Sequence, residues 1–279
     1  MEYKTIRKSL KNNFLKNLIF RLDFSGMMDA DVEDFIKSIR DKIHSRGYTT
    51  LQEIFENNTN VNLDSFDATN IQINNDTVKV YQFISPNNKI LKISKSYIIF
   101  DINIELNETL FSDYLPLISE IITELKQREY VHYNRIGLRK LNTCIILDKS
   151  TLSDYFHQNV LWQFNENSIT TQIADEIFQS VYRINYNRRF QEGIINIDKK
   201  ETPAYQIILD IDASMQDDAE NTLNTKVLEN NASQILTELN DLIFEVYIKS
   251  LTEEYIEKLK DKNFDDNNIL GVTKNVPNI

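Results

Sequence analysis

The chain has 279 residues, 41% of them hydrophobic and 26% charged, which is the balance of an ordinary soluble globular protein. Its 42 acidic and 31 basic residues leave a net charge of -11. Such a charge repels phosphate backbones and anionic lipid, which argues against nucleic acid and membrane surfaces as partners. A single cysteine excludes an intramolecular disulfide, and with three histidines it excludes a cysteine-rich zinc site.

The first half of the chain reads as strands and helices in alternation. Apolar residues at every second position predict a half-buried strand over residues 13–24. Apolar residues at helical spacing then follow. They are preceded by a group of acidic residues that begins at Asp29 and are followed by Gly47, which predicts a helix with favourable charges at its start and a glycine just past its end. Residues 57–77 are polar, with one strand predicted at 70–74. The other elements expected in this half are a three-stranded meander over 78–105, a helix over 112–128 and a long strand over 131–147.

The second half is predicted to begin after a short helix or linker at residues 148–157, so we place a domain boundary there. This gives an N-terminal α+β domain over 1–148 and a C-terminal domain of antiparallel sheet and long helix over 149–279. Breaker residues at 191–193 and 201–203 separate the strands expected in the second domain. These strands are predicted at 176–187, 193–199 and 204–215.

A long helix is predicted from Thr222 to Lys249, and its apolar residues form a seam with alternating steps of four and three. The seam could pack onto the chain's own sheet, which its short length favours, or it could join two copies in a homodimer. Its members are Leu228, Ala232, Ile235, Leu239, Leu242 and Val246.

Several kinds of catalytic site are absent from the sequence. The five glycines are isolated, so no phosphate-binding loop can be assembled from closely spaced glycines, and no Gly-x-Ser-x-Gly nucleophile elbow occurs. The three histidines, His44, His132 and His157, lack a recognisable triad context. Cys144 lies among apolar residues and is expected to be a buried hydrophobe rather than a nucleophile.

Two groups of acidic residues could hold a divalent cation. Asp210 and Asp212 are two apart on a predicted strand and therefore share a face, which is the minimal arrangement for Mg²⁺-dependent phosphoryl transfer. Asp101, Asn103 and Glu105 have the same spacing. The alternative is that both groups are simply solvated strand faces, and neither the glycine-serine turn of a nucleotidyltransferase nor the Glu-x-Lys of a nuclease accompanies them.

The arginines gather in two places. Arg183, Arg188 and Arg189 lie among aromatic residues, and Arg135 and Arg139 lie on the long predicted strand beside Lys140. In an acidic chain, such clusters could bind a carboxylate, a phosphate or an acidic partner. The alternative is that they form ion pairs with the protein's own carboxylates.

Three segments carry a resemblance to a family. The Arg21-Leu22-Asp23-Phe24 strand, the Gly137-Leu138-Arg139-Lys140-Leu141-Asn142 strand and the Phe244 to Glu254 stretch ending in Leu-Thr-Glu-Glu resemble a sporadically distributed family of uncharacterised bacterial proteins of about this length. The family has an aromatic or apolar residue where Lys140 stands. The resemblance implies no known activity, and its patchy distribution suggests a role in phage defence or toxin antagonism.

Taken together, these features predict an α+β protein with two antiparallel or mixed sheets, each covered by helices, and a long C-terminal helix. We expect a non-enzymatic binding or regulatory protein that contacts another protein encoded nearby and that uses no cofactor. The alternatives are a metal-dependent phosphoryl-transfer enzyme or nuclease using Asp210 and Asp212, and a sensor of small anions. The chain lacks a signal-peptide pattern and an apolar run of about 18–20 residues, so the expected location is the cytoplasm.

Overall fold

The computed structural model describes residues 3–63, 71–104, 111–161, 169–217, 223–229 and 231–273. Within these ranges the chain forms ten strands, eight α-helices and a short 3-10 helix at Lys149–Thr151. The strands are β1 (Leu15–Ser25), β2 (Thr50–Leu63), β3 (Ile71–Ile84), β4 (Lys89–Ile93), β5 (Tyr97–Asn103), β6 (His132–Ile146), β7 (Thr170–Gln179), β8 (Tyr182–Ile197), β9 (Lys200–Gln216) and β10 (Ile269–Leu270). The helices are α1 (Tyr3–Ser9), α2 (Asp29–Ser45), α3 (Phe111–Leu125), α4 (Leu152–Tyr155), α5 (Gln158–Leu161), α6 (Leu223–Leu228), α7 (Ala232–Ser250) and α8 (Glu253–Leu259).

All ten strands belong to one antiparallel sheet. Its order is β2-β3-β4-β5-β1-β6-β9-β8-β7, and β10 pairs with the end of β6. The prediction of two sheets, each covered by helices, is therefore wrong. The two halves of the chain meet where β6 pairs with β9, from Arg135 opposite Gln216 to Ile146 opposite Tyr205. Periodicity in a sequence shows which residues form a strand and which face they occupy, but it does not show which strand lies alongside.

The strongest periodic patterns of the first half do form the predicted elements. The strand predicted at 13–24 is β1, the predicted meander is formed by β3, β4 and β5, and the long strand is β6. The two predicted helices are α2 and α3. In α2, the five apolar residues at helical spacing are all buried: Val32, Phe35, Ile36, Ile39 and Ile43.

The strands of the second half differ from their predicted limits. The chain turns after β7 at Ser180 and between β8 and β9 at Asp198 and Lys199, and these three residues have positive φ angles of 57°, 49° and 67°. The predicted breakers at 191–193 and 201–203 instead lie inside β8 and β9. Both strands are long and contain residues that often end strands. Gly193 pairs with Ala204, and Pro203 pairs with Ile194, so the hairpin continues through both positions.

The single helix predicted from Thr222 to Lys249 is not observed. Two helices, α6 and α7, occupy the described part of this segment. Residue 222 and the side chain of Leu228 lie outside the described residues. In α7, Ala232, Ile235 and Leu239 of the predicted seam are buried within the chain, where α7 packs on β6 and β9. The seam as a homodimer surface stays a prediction. Of the helices in the described residues, none is both long and apolar enough to cross a membrane.

The two faces of the sheet are chemically different because side chains alternate along each strand. One face, here called the covered face, carries apolar residues such as Leu22 of β1, Phe100 of β5 and Leu138 of β6, all fully buried in the main hydrophobic core. The opposite face, here called the open face, carries the charged residues of the same strands. Arg21 and Arg139 are examples, and both are partly exposed.

Among the described residues, Lys140 is the one charged residue that is buried on the covered face. Lys140 follows Arg139 on β6, so alternation directs its side chain into the core, where it is only 4% exposed. Burial is the main cause that lowers the pKa of its amine from 10.5 to about 7, the positive charge of Arg7 lowers the pKa further, and Asp241 partly opposes both effects.

Candidate functional site

A groove crosses the middle of the open face. It has a volume of about 540 Å³ and is floored by side chains of β4, β5, β1, β6, β9 and β8. Five basic and three acidic residues line it, and three further carboxylates, those of Asp210, Glu56 and Glu176, pair with basic residues of the lining. The charged lining residues are Arg21, Asp23, Lys92, Asp101, Arg135, Arg139, Arg183 and Asp212.

The centre of the groove is built around Gly137 on β6. Arg21 of β1 lies directly opposite this glycine, and Arg135 and Arg139 are two residues away on either side of it. A Cβ atom added to Gly137 would lie 2.8 Å from Cζ, Nη1 and Nη2 of Arg135. The guanidinium of Arg135 therefore lies over the backbone of Gly137, in space that any side chain at this position would fill.

Ion pairs hold the guanidinium of Arg135 in this position. Its Nη2 donates to both carboxylate oxygens of Asp212, at 2.7 and 2.9 Å, and its Nη1 lies 3.7 Å from Oδ2 of Asp23. Asp23 also accepts a hydrogen bond of 2.8 Å from Nε of Arg21. The four side chains form a continuous charged network across β1, β6 and β9, and charge-assisted bonds of this kind fix side-chain geometry.

A second pair lies beside this network. Arg139 donates through Nε and Nη2 to the two oxygens of Asp210, at 2.7 and 2.6 Å, and the Asp210 side chain is only 14% exposed. These hydrogen bonds are the main cause that raises the pKa of Arg139. The geometry is bidentate, which is the strongest form of an arginine–carboxylate contact.

The candidate metal ligands Asp210 and Asp212 do share a face, but each carboxylate is paired with a different arginine. Within the described residues, no group of three or more His, Cys, Asp and Glu side chains is placed to hold a metal ion. In the other acidic group, Glu105 lies outside the described residues, and Asp101 lines the groove and accepts a 3.2 Å hydrogen bond from the Asn17 amide.

The structure regroups the two predicted arginine clusters. Arg135, Arg139 and Arg183 line the groove together, and Arg183 also pairs with Glu176 of β7. Arg188 and Arg189 lie elsewhere: Arg188 pairs with Asp175 and lies over the Tyr186 ring, and Arg189 is exposed and donates to Gln191.

Sequence reasoning missed three charged residues of the groove: Arg21, Asp23 and Lys92. Arg21 and Asp23 stand two apart on β1, and this charged alternation on the polar side of an amphipathic strand was a usable signal. Lys92 reaches Glu56 of β2, at 2.7 Å, across the intervening β3 strand. No signal in the sequence indicates that contact.

No protein-family model and no curated protein matches this chain. Among solved structures, it is 11% identical to the extracellular domain of the histidine kinase vpHK1S-Z8, over 85% of this chain and 77% of that one, with a TM-score of 0.13. It is 6% identical to the S. pombe RNA triphosphatase Pct1, solved in complex with the Spt5 CTD, over 88% and 86% of the two chains, with a TM-score of 0.11. Similarities this low carry no argument about fold or function.

Proposed function

We propose that this chain is a non-enzymatic binding protein and that the groove binds a small molecule carrying a phosphate or carboxylate group. The observation that supports the proposal is the placement of three guanidinium groups around Gly137 in one groove of a strongly acidic chain. Guanidinium groups that converge on one place can donate together to a phosphate or carboxylate.

The arginines keep donors for such a ligand even though each is paired. An arginine has five N–H donors. Arg21 uses Nε toward Asp23, and Arg139 uses Nε and Nη2 toward Asp210. Within the described residues, Nη1 and Nη2 of Arg21 and Nη1 of Arg139 have no acceptor. An anion between these two side chains would accept hydrogen bonds without breaking either internal pair.

The carboxylates of the groove define the rest of the ligand. Asp101 accepts one amide hydrogen bond and, among the described residues, has no basic partner within ion-pair distance. A hydroxyl or amine on the ligand would satisfy it. The volume of about 540 Å³ lies in the range of small-molecule sites, roughly 300–1,000 Å³, so we infer a compact polar ligand rather than a polymer.

The setting of this activity belongs to the same proposal. We infer that the protein works in the cytoplasm, that it belongs to the sporadically distributed bacterial family that its Arg21 to Phe24 and Gly137 to Asn142 segments resemble, and that binding regulates a phage-defence or toxin-antagonist partner. The metal-dependent reaction at Asp210 and Asp212 stays a prediction that no contact in the groove favours.

Calorimetric titration of the full chain with phosphate, citrate, AMP and glucose 6-phosphate tests the proposal. We expect at least one probe to bind, and Arg21→Ala to weaken its binding by about tenfold or more because a charge-assisted contact is lost. Arg21 is the preferred position because Asp23 and Asp212 still hold Arg135 in place when Arg21 is removed. Arg189→Ala is the matched control, since it removes an equal charge outside the groove. Absence of binding by every probe, or equal losses in both variants, would refute the proposal.

Gly137→Ala gives a separate test of the geometry. The new Cβ displaces the guanidinium of Arg135 from Asp212, but that guanidinium is the end of a flexible side chain, so the free energy of unfolding should change by less than about 1 kcal/mol. We expect the affinity for the bound probe to fall by about tenfold. Gly193→Ala is the control, because nothing lies within 4 Å of its added Cβ. Unchanged affinity in Gly137→Ala would show that Arg135 has no part in binding.

A further inference from the structure

The strand β7 forms one edge of the sheet, and its other side is paired with no strand of the described residues. Every residue of β7 is at least partly exposed on a strand of ten residues. Phe178 is 71% exposed, and Ile177 and the preceding Ile169 are also large, exposed apolar residues. An edge of this length presents backbone N–H and C=O groups on which another strand can pair.

Three of the usual protections of an edge strand, lysine, proline and a bulge, are missing from β7. Proteins block such edges with lysine, proline or a bulge. The sequence of β7, TTQIADEIFQ, contains neither lysine nor proline, and its register with β8 runs without interruption from Thr170 opposite Gln191 to Gln179 opposite Tyr182. Among the described residues, this edge is therefore long, uninterrupted and unpaired.

The side chains of β7 specify the chemistry of the strand that would pair with it. Asp175 and Glu176 are neighbours on opposite faces, and Ile177 and Phe178 follow, so each face presents an acid and then an apolar residue. Arg188 and Arg183 of β8 pair with these acids from behind, but the carboxylates remain about half exposed. Residues directly opposite in a sheet prefer opposite charge or apolar contact.

We propose that β7 binds an extended segment of another protein as an additional antiparallel strand, and that this segment carries two apolar residues followed by two basic residues. Antiparallel pairing reverses the order, so the two apolar residues lie opposite Phe178 and Ile177 and the two basic residues lie opposite Glu176 and Asp175. Main-chain hydrogen bonds supply the affinity in this mode, and the alternating side chains supply the specificity.

A second copy of the chain fits this edge poorly. β7 contains no basic residue, so a β7–β7 pair would bring four carboxylates together with no new cation. A symmetric pair centred on Asp175 or on Glu176 would also place identical carboxylates directly opposite each other, which is destabilising. Charge complementarity therefore favours a basic segment of a different protein.

Fluorescence anisotropy with a labelled ten-residue peptide tests the proposal. The probe has two central valines followed by two lysines and threonines elsewhere, and two control peptides replace the lysines with glutamates or the valines with serines. We expect the probe to bind the full chain about tenfold or more tightly than either control peptide. N-methylation of the probe backbone on its pairing edge should abolish binding, because the main-chain hydrogen bonds are lost.

Matched protein variants locate the site. Phe178→Lys places a charge on β7 and should weaken probe binding by about tenfold. Phe55→Lys is the control on the opposite edge strand, β2, where the phenylalanine is 69% exposed. Arg21→Ala should leave peptide binding unchanged, so a failure of this proposal is distinguishable from a failure of the groove proposal. Equal effects of Phe178→Lys and Phe55→Lys, or a dimer that Phe178→Lys dissociates while the probe does not bind, would overturn it.

Discussion

Lys140→Met should stabilise the fold by about 4 kcal/mol at pH 7, which is the largest stabilisation we expect from any single substitution. The wild-type amine is buried in the core, where its pKa falls from 10.5 to about 7. The unfolded chain binds this proton at neutral pH, whereas about half of the folded molecules do not, and the difference opposes folding. Methionine has a similar length, no charge and a flexible shape suited to irregular core space.

The pH dependence of the same position has a defined sign. Above about pH 7 the folded amine is neutral while the unfolded amine stays protonated up to 10.5, so the contribution of Lys140 to stability improves as the pH rises. The advantage of Lys140→Met should therefore shrink by roughly 2 kcal/mol between about pH 7 and pH 9. Burial raises the pKa of Cys144 and of Tyr133, and these groups stay protonated only in the folded state, so the wild type loses stability at still higher pH.

Urea denaturation of the two proteins across this pH range measures both effects. Lys37→Met is the control, because Lys37 is an exposed residue of α2 that pairs with Asp34, and we expect it to change the free energy of unfolding by less than about 0.5 kcal/mol. A Lys140→Met variant that is less stable than the wild type at pH 7 would contradict the expectation, and so would a difference that does not depend on pH.

Phe14→Ala should destabilise the fold by about 3–5 kcal/mol, the range for removing a buried phenylalanine. Phe14 is 1% exposed just before β1, and its ring stacks on Tyr255 of α8 with a centroid distance of 5.7 Å. It also contacts Phe156, at 6.3 Å, and Tyr247 of α7, at 6.5 Å. One ring thus joins the sheet to three separate segments of the second half, so its loss leaves a cavity that no single element can fill.

The same substitution on the surface provides the comparison. Phe178→Ala on the edge strand β7 should change the free energy of unfolding by less than about 0.5 kcal/mol, because most of that ring is in solvent. Thermal or urea denaturation of the two variants measures the contrast. A cost below about 1 kcal/mol at Phe14 would show that the aromatic contacts do not hold these segments together.

The sequence predicts individual elements of this fold better than their arrangement. Burial on one face leaves a repeat of two or of 3.6 residues, and this is why β1, α2 and α3 were found. The hairpin of β2 and β3 was largely missed because its residues from 57 to 77 are polar, and register pairing rather than an apolar stripe defines it. The turns at Ser180 and Asp198 were missed because glycine and proline, present at Gly193 and Pro203, are more typical of turns than serine and aspartate are.

The groove was partly visible in the sequence. Arg135 and Arg139 lie on the same face of one predicted strand, and Asp210 and Asp212 lie on the same face of another. This is the pattern expected of oppositely charged side chains that pair across neighbouring strands. The sequence could not show that these two strands pair, nor that Arg139, which lies directly opposite Asp212, pairs with Asp210 while Arg135 pairs with Asp212. It also could not show that Gly137 makes room for a guanidinium, since an isolated glycine in a strand has several explanations.

The order of strands in the single sheet also bears on how the chain reaches its native state. β1 is synthesised before the other strands of this sheet, yet its neighbours come much later: Leu22 pairs with Ile98, and Arg21 pairs with Gly137, 116 positions further along. The hairpins of β2 with β3 and of β8 with β9 can close locally, but the central strand must wait for both partners while its apolar side is unprotected. Such non-local pairing slows folding and prolongs exposure to misassembly. A nascent chain built this way depends on β1 remaining unpaired until β5 and β6 have been made.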